Sequence, residues 1–254
     1  ANSLRAYKRL NITPTYITIQ NEPRLDIYYP SCKFTPSETA SYAGYDSALD
    51  AVYQKLSTME ESPKILAPDS VNTIHAQDYL DAIWNLTQIY GYAHHLYGLG
   101  AGDTQADKFD NPDSFIRAMR TFRNFYGDKP IFQTEFCRLY DSDGLREAIN
   151  TAMHIHNSLV EEDVAAYMVW GLFWPKYIGQ DGLGLVLIDD PWNIPEPGYT
   201  IKDTYYELKH YSKYIQPGYS RINISEPNVS GLRASAFKSP DADTVSSTIC
   251  LQRI

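Results

Sequence analysis

The chain has 254 residues, of which 43% are hydrophobic, and this is enough to bury the core of one domain or slightly more. A formal net charge of −9 argues against nucleic acid or an anionic membrane surface as a partner. No apolar run approaches the roughly 18 residues that a membrane-spanning helix needs, and the opening ANSLRAYKRL predicts a polar helix rather than a signal peptide.

Short β-like runs alternate with helical stretches through the first 215 residues. The second helix is predicted to begin at TPSE, with Thr35 as its N-cap and Pro36 in its first turn. Alternation of this kind predicts βαβ units and a parallel sheet. The strands are predicted at 15–20, 64–70, 90–98, 129–136 and 164–174. The helices that follow them are predicted at 35–59, about 75–88, from 111 onward, about 144–160 and 201–215.

These elements leave two α/β architectures open, an open doubly wound sheet and part of a (β/α)8 barrel. No glycine-rich phosphate loop follows a strand, which disfavours nucleotide binding. After Gly218 the pattern changes, and YSRINI, LRASAFK and TVSSTICL alternate like antiparallel strands. Three strands are too few for an independent sandwich, so they predict the start of an appended β domain.

Polar side chains stand where the predicted strands end. Asn21 and Glu22 end the first strand, His95 and Tyr97 lie in the third, and Glu135 ends the fourth. In a parallel α/β barrel, the carboxyl ends of the strands line the active site. Two glutamates on separate strand ends are the pair that glycoside hydrolysis requires.

Several of these residues have a structural alternative. Asp69, in APDS, fits a helix cap, and Arg138 could neutralise Glu135. His94 and His95 are adjacent in a strand and face opposite ways, so at least one of them is expected to be structural. No HExxH or comparable spacing occurs, and no metal site is predicted.

Cysteines, sequons and aromatic residues bear on the compartment and the ligand. The odd set Cys32, Cys137 and Cys250 gives no disulfide framework, although a bond between Cys32 and Cys137 stays open. Twenty-one tyrosines and four tryptophans fit either a sugar-binding surface or a tyrosine-rich surface without that role. Sequons permit a secreted glycoprotein; they begin at Asn11, Asn85, Asn223 and Asn228.

Longer motifs resemble a known enzyme family. ITIQNEP is similar to the acid/base motif of the retaining glycosidases of clan A, PIFQTEF to their nucleophile strand, and HHLYG to their His-x-Tyr strand. Together with QNEPRLDIYYPSCKFTPSE and YYELKHYSKYIQPGYSRI, they resemble glycoside hydrolase family 30 over about residues 10–240. The YPSC run is similar to the xylanase branch of that family.

The resemblance implies a fold and a domain order. Residues 1–218 would form part of a (β/α)8 TIM-type barrel, strands 4–8, and residues 219–254 the start of a C-terminal side β-sandwich. A family member has three more βα units before this point, so the chain is expected to be a fragment that lacks the N-terminal part of the barrel.

The resemblance also implies residue roles. Glu22 would be the general acid/base and Glu135 the nucleophile, with their carboxyl groups roughly 5–5.5 Å apart. Glu22 would be protonated and Glu135 ionised, with hydrogen bonds that hold the pKa of Glu135 low. Substrate contacts would come from Asn21, His95, Tyr97, Trp170 and Trp174.

The implied activity is that of a retaining endo-β-1,4-xylanase. Lys176 is the only cation in the loop GLFWPKYIGQDGLG and lacks the planar fork of arginine, so strict dependence on glucuronate is not expected. A relative acting on another β-glycan, such as β-1,6-glucan or a glucosyl conjugate, and a non-catalytic carbohydrate-binding fragment remain alternatives. The expected protein is a secreted monomer that binds polysaccharide or oligosaccharide, without cofactor, metal, nucleic-acid or membrane partner.

Overall fold

The computed structural model describes residues 2–27, 31–98, 109–139, 144–176, 181–190, 192, 198–225, 229, 231–241 and 243–251. These residues form two compact units. The first contains described residues of 1–102, 121–135 and 164–166, and the second contains those of 103–120, 136–163 and 167–254. Among the helices in this described part, none is both long enough and apolar enough to cross a membrane.

A five-stranded sheet confirms the predicted strand order. Parallel pairing joins β1 to β2, β2 to β3 and β3 to β4, and β5 lies beside β4. The Tyr16 ring on the first strand lies 5.1 Å from the Phe132 ring on the fourth, which shows that the sheet is curled. It is a partial (β/α)8 barrel. The strands are β1 (Tyr16–Ile17), β2 (Lys64–Ser70), β3 (Ile89–His95), β4 (Ile131–Glu135) and β5 (Ala166–Tyr167).

Helices alternate with these strands, as the sequence predicted. A 3-10 turn at Pro112–Phe115 precedes the fourth helix, and a π-helical segment at Ser158–Glu162 follows the fifth. The helices are α1 (Asn2–Arg9), α2 (Tyr45–Leu56), α3 (Thr73–Ile83), α4 (Ile116–Tyr126), α5 (Leu145–Asn157) and α6 (Asp203–Ser212).

The predicted start of α2 at Thr35 is wrong. The Thr35 hydroxyl donates to the carbonyl oxygen of Ser37 at 2.8 Å, which holds a loop rather than a helical turn. The observed helix begins at Tyr45 and buries Tyr45, Leu49 and Leu56. Only from Tyr45 onward does an apolar stripe face the core, and burial of that stripe supplies most of the stability of a short helix.

The predicted fifth strand is two strands in different sheets. β5 ends at Tyr167, and β6 (Phe173–Pro175) pairs in parallel with β7 (Val186–Ile188). β7 then pairs antiparallel with β8 (Tyr199–Ile201). The run VAAYMVWGLFW is apolar throughout, and an apolar run does not reveal where its chain leaves a sheet.

The last three strands form a separate antiparallel sheet, as predicted. β10 (Leu232–Lys238) is central, with β9 (Ser220–Ile222) on one side and β11 (Val245–Leu251) on the other. That this sheet belongs to a side β-sandwich is what the resemblance implies, and the three strands alone form one sheet. The domain boundary expected after residue 218 stays a prediction.

Each unit has its own apolar core. In the first, Leu66, Ala93 and Phe132 come together from β2, β3 and β4. In the second, Met153 on α5 packs in one cluster with Tyr211 on α6. The core of the first unit therefore fixes the three adjacent strands whose ends carry polar side chains.

Candidate active site

Four ionisable side chains from separate parts of the chain meet in the first unit. Asp69 lies near the end of β2, His95 ends β3, and Glu135 ends β4. Glu22 follows β1, and its backbone N–H donates to the carbonyl oxygen of Asp69 at 2.9 Å. Since the carboxyl ends of parallel strands meet at one edge of a sheet, residues far apart in sequence share this site.

The backbone holds Glu22 and Asp69 in an uncommon conformation. Their φ angles are +46° and +64°, in the left-handed region that non-glycine residues rarely occupy. Such conformations cost free energy and occur most often at functional sites. Here they direct two carboxylates toward the same imidazole ring.

His95 bridges the carboxylates. Its Nδ1 lies 2.9 Å from Glu22 Oε1 and 3.8 Å from Glu135 Oε1, and its Nε2 lies 3.4 Å from Asp69 Oδ1. Burial opposes the charged ring, but hydrogen bonds to Asp69 and Glu22 and the charge of Glu135 outweigh it and raise the pKa of His95 to about 9. At neutral pH both ring nitrogens therefore carry protons.

Glu135 does not behave as the sequence predicted. Burial raises the pKa of its carboxyl group above the usual range, and the charge of Glu22 adds to this. The charge of His95 and a hydrogen bond from Tyr97 act in the opposite direction but do not prevail. The expectation that hydrogen bonds hold this pKa low is therefore wrong, because the desolvation cost of the ionised form is larger.

Tyr97 lies two residues beyond the end of β3. The Tyr97 backbone N–H donates to the Val71 carbonyl oxygen at 3.0 Å, and the Asn72 side-chain amide donates to the Tyr97 carbonyl oxygen at 3.2 Å. Its ring packs edge-on against the His95 ring, with centroids 5.7 Å apart. The predicted neighbourhood of His95, Tyr97 and Glu135 is thus formed, although Tyr97 belongs to a loop rather than a strand.

His94 is the structural member of the histidine pair. It is fully buried, and its ring packs against Phe122 with centroids 5.1 Å apart. Its Nδ1 lies 2.7 Å from the carbonyl oxygen of His95. The prediction that one of the two histidines is structural is confirmed.

Asp69 is a site residue that the sequence analysis missed. Its carboxylate accepts hydrogen bonds from the Thr18 hydroxyl at 2.7 Å and the Thr134 hydroxyl at 2.6 Å. Burial acts to raise its pKa, but the bonds from His95, Thr134 and Thr18 lower it overall. The signal available in the sequence was its place at the end of a buried strand; the helix cap is instead Asn72, which accepts from the His75 N–H.

The two glutamates are close enough to act on one bond. Ligand atoms of Glu22, His95 and Glu135 all lie within 4.8 Å of one another. Three such groups have the composition of a cation site, and a metal ion there would have to displace a proton from His95. Without a metal ion, the same groups are arranged for proton transfer.

The remaining predicted substrate contacts are placed as follows. Asn21 is exposed beside Glu22. Trp170 and Trp174 belong to the second unit, where Trp170 is 46% exposed and Trp174 is half-buried in β6. Arg138, also in that unit, donates to Asp110 at 2.8 Å. Roles of Asn21 and both tryptophans in substrate binding stay predictions.

The cysteines and sequons give a mixed outcome. Cys32 is exposed and Cys137 is buried, and neither forms a disulfide bond. The disulfide that the sequence left possible between them is therefore absent. The asparagines of three sequons, Asn11, Asn85 and Asn223, are exposed. Asn228 lies outside the described residues.

The chain is similar in sequence to known enzymes. No protein-family model matches it. A glucuronoxylanase, XynC from Bacillus subtilis (strain 168), is 25% identical over 232 residues, which cover 87% of this chain and 44% of that protein. A second XynC from Bacillus subtilis is 27% identical over 238 residues with the same coverage. The chain resembles glycoside hydrolase family 30.

Solved structures share this fold. The catalytic domain of a family 30 xylanase C from Talaromyces cellulolyticus has a TM-score of 0.67 and 18% identity, over 95% of this chain and 50% of that chain. The endo-β1,6-glucanase BT3312 has a TM-score of 0.73 and 20% identity, over 94% and 52%. The chain therefore spans about half the length of the family 30 proteins it matches.

Proposed function

We propose that this chain carries the catalytic pair of a retaining glycoside hydrolase that cleaves β-1,4-xylan by double displacement. The observation that supports it is the closeness of Glu22 and Glu135, since one carboxylate oxygen of each lies within 4.8 Å of the other. Retaining enzymes have carboxyl groups about 5–5.5 Å apart, whereas inverting enzymes need about 6.5–9.5 Å to admit a water molecule. The short separation favours direct attack by one carboxylate.

In the first step, Glu135 attacks the anomeric carbon and Glu22 gives its proton to the glycosidic oxygen that leaves. A covalent glycosyl ester forms at Glu135, and the aglycone departs with the proton. Asn21 is exposed beside Glu22, and we propose that it bonds a sugar hydroxyl in the same complex. In the second step, Glu22 removes a proton from water, the water attacks the anomeric carbon, and Glu135 is released.

His95 is suited to serve both steps. Its Nδ1 lies 2.9 Å from Glu22 and 3.8 Å from Glu135, so its positive charge faces whichever carboxylate is ionised. Before the first step, that charge stabilises the Glu135 carboxylate while Glu22 holds the proton. After proton transfer, it stabilises the Glu22 carboxylate. A fixed charge near both groups lowers the electrostatic cost of each step.

Xylan is the substrate that we propose, without strict dependence on glucuronate. The two curated relatives are glucuronoxylanases. In this chain, Lys176 lies 3.5 Å from Asp189 and is half-exposed, so its charge already has a partner. Lysine also lacks the two-pronged geometry with which arginine holds a carboxylate.

A second candidate is activity on β-1,6-glucan, favoured by the structural likeness to BT3312, an endo-β1,6-glucanase. A third is a carbohydrate-binding protein without catalysis. We propose in addition that the protein is secreted and glycosylated, since three described sequon asparagines are exposed.

The test is a product analysis with the 254-residue chain on glucuronoxylan, linear xylo-oligosaccharides and β-1,6-glucan. Reducing-sugar release measures the rates, and proton NMR of the first product gives its anomeric configuration. We expect β-configured products from both xylan substrates at rates within about tenfold of one another, and little release from β-1,6-glucan.

Glu135→Gln is the matched control, because it keeps the shape of the side chain and removes the nucleophile. It should abolish release on every substrate. α-Configured first products, or full activity of Glu135→Gln, would refute the retaining mechanism. Strong preference for glucuronoxylan or for β-1,6-glucan would refute the substrate assignment, and binding without release would favour the non-catalytic alternative.

A further inference from the structure

We infer that Asp69 is a positioning residue that holds the His95 ring in place and directs it at the Glu22 carboxyl group. The inference rests on the proposed function, in which Glu22 exchanges a proton with substrate. Asp69 is 6% exposed and lies at the end of β2, between Glu22 and the ends of β3 and β4. It is not one of the two carboxylates that react.

Asp69 is itself held rigidly from both sides. The Thr18 hydroxyl donates to Oδ2 at 2.7 Å and the Thr134 hydroxyl donates to Oδ1 at 2.6 Å. These donors come from opposite sides of β2 in the sheet order, one just after β1 and the other on β4. A buried carboxylate with two neutral donors stays ionised and has little freedom to rotate.

Asp69 reaches Glu22 by two separate routes. Through the backbone, its carbonyl oxygen accepts the Glu22 N–H at 2.9 Å. Through the side chain, its Oδ1 lies 3.4 Å from His95 Nε2, while His95 Nδ1 lies 2.9 Å from Glu22 Oε1. The first route fixes where the Glu22 backbone sits, and the second fixes where its carboxylate points.

Charge explains why the second route needs an anion at position 69. Neutral imidazole carries one N–H, so it can donate to only one of two carboxylates on opposite sides of the ring. The ionisable groups that face His95 are the carboxyl groups of Glu22, Asp69 and Glu135 and the phenol of Tyr97, and none of them is a cation. With an uncharged amide at 69, a neutral ring could bond that amide through Nε2 and would then present a lone pair to Glu22.

The first experiment is a nitrogen NMR titration of the imidazole rings in the full chain, with His95→Gln used to assign the His95 signals. We expect wild-type His95 to keep protons on both nitrogens up to about pH 9. In Asp69→Asn, the His95 titration should move at least one pH unit lower. Asparagine is the suitable replacement because it tolerates a left-handed φ and keeps the backbone acceptor for Glu22.

The second experiment is a pH–rate profile on xylan. Asp69→Asn should move the alkaline limb of kcat/KM to lower pH and reduce kcat by about 10- to 100-fold, with KM little changed. Asp50→Asn, the same change at an exposed position on α2, should match wild type. A change confined to KM, or an unchanged pH profile, would overturn the inference.

The two readouts separate the possible failures. A neutral wild-type His95 at pH 7 overturns the Asp69 inference even if Asp69→Asn does not fold. Identical His95 titrations in wild type and Asp69→Asn overturn it as well. If the NMR contrast appears but the chain hydrolyses no glycan, the proposed function fails, and the control of His95 by Asp69 is supported.

Discussion

At the scale of single residues, the site combines one buried cation with three carboxylates. His95 is 1% exposed and lies within 4 Å of Glu22, Asp69 and Glu135. Buried charges are tolerable only when they are paired and hydrogen-bonded. Burial is the main reason why the pKa of Glu135 is raised, and the negative charges of Glu22 and Asp69 add to it.

Tyr97 is expected to tune the nucleophile. Its hydrogen bond lowers the pKa of Glu135 against the larger effect of burial, so Tyr97→Phe should raise that pKa further. Because the attacking carboxylate must be ionised, the acid limb of the kcat/KM profile should move to higher pH, and the maximum rate should fall. A pH–rate profile on xylan measures this.

Tyr53→Phe is the control for Tyr97→Phe, since Tyr53 is an exposed tyrosine on α2. Its profile should match wild type. An acid limb that stays in place in Tyr97→Phe would contradict the role given to the Tyr97 hydroxyl.

At the scale of elements, close packing between β3 and its neighbours sets the site. Gly91 lies in β3 where a Cβ atom would stand 2.6 Å from the Pro130 carbonyl oxygen and 2.9 Å from the Phe132 ring. Separations under 3 Å force a shift, and backbone yields less readily than a flexible side chain. Glycine at this position lets β3 approach β4, whose end carries Glu135.

Gly91→Ala is therefore expected to destabilise the protein by about 1–3 kcal/mol. The sign of the effect is informative, because Gly→Ala at an uncrowded site usually stabilises a protein by about 0.4–1 kcal/mol through the unfolded state. Urea unfolding followed by tyrosine and tryptophan fluorescence measures the midpoint. An unchanged or raised midpoint would contradict the crowding inferred here.

At the scale of the whole molecule, His95 in the first unit responds to pH in the opposite way to His154 and His156 in the second. Burial lowers the pKa of His154 to about 4, and burial with the charge of Arg233 lowers that of His156 to about 4. The rings of Phe109, Phe115 and Phe136 surround His154, with centroids 4.9 to 5.1 Å away. In the first unit, His95 has its pKa raised to about 9.

These shifts predict a free energy of unfolding that is greatest near pH 6.5. Because its pKa is raised, His95 adds roughly 3 kcal/mol to the free energy of unfolding below pH 6.5, and this contribution is lost as the pH rises to about 9. Because their pKa values are lowered, His154 and His156 act in the opposite direction. Their contributions to the free energy of unfolding are complete above pH 6.5, and each is lost, by a similar amount, as the pH falls to about 4.

Urea midpoints at pH 4.5, 6.5 and 9 test this expectation. His154→Gln should flatten the acid side, because the amide can still donate to the Phe109 carbonyl oxygen that His154 Nε2 faces at 3.0 Å, and it does not titrate. An acid side equally steep in His154→Gln and wild type would show that His154 does not contribute to it.

Local sequence patterns predicted much of the fold. The positions of the first four strands, their parallel order, the final antiparallel sheet and most helices follow from apolar periodicity and turn residues. The start of α2 and the break between β5 and β6 did not follow. Which part of an apolar run pairs in one sheet depends on partners elsewhere in the chain, and periodicity does not contain that information.

By itself, the sequence determined which residues end the strands of the sheet, and so brought Glu22, His95 and Glu135 to one site. Only the tertiary structure decided how these groups interact. Asp69 stands 3.4 Å from His95, and burial outweighs hydrogen bonding at Glu135. Desolvation and Coulomb energies depend on distances and burial in three dimensions, and a motif specifies neither.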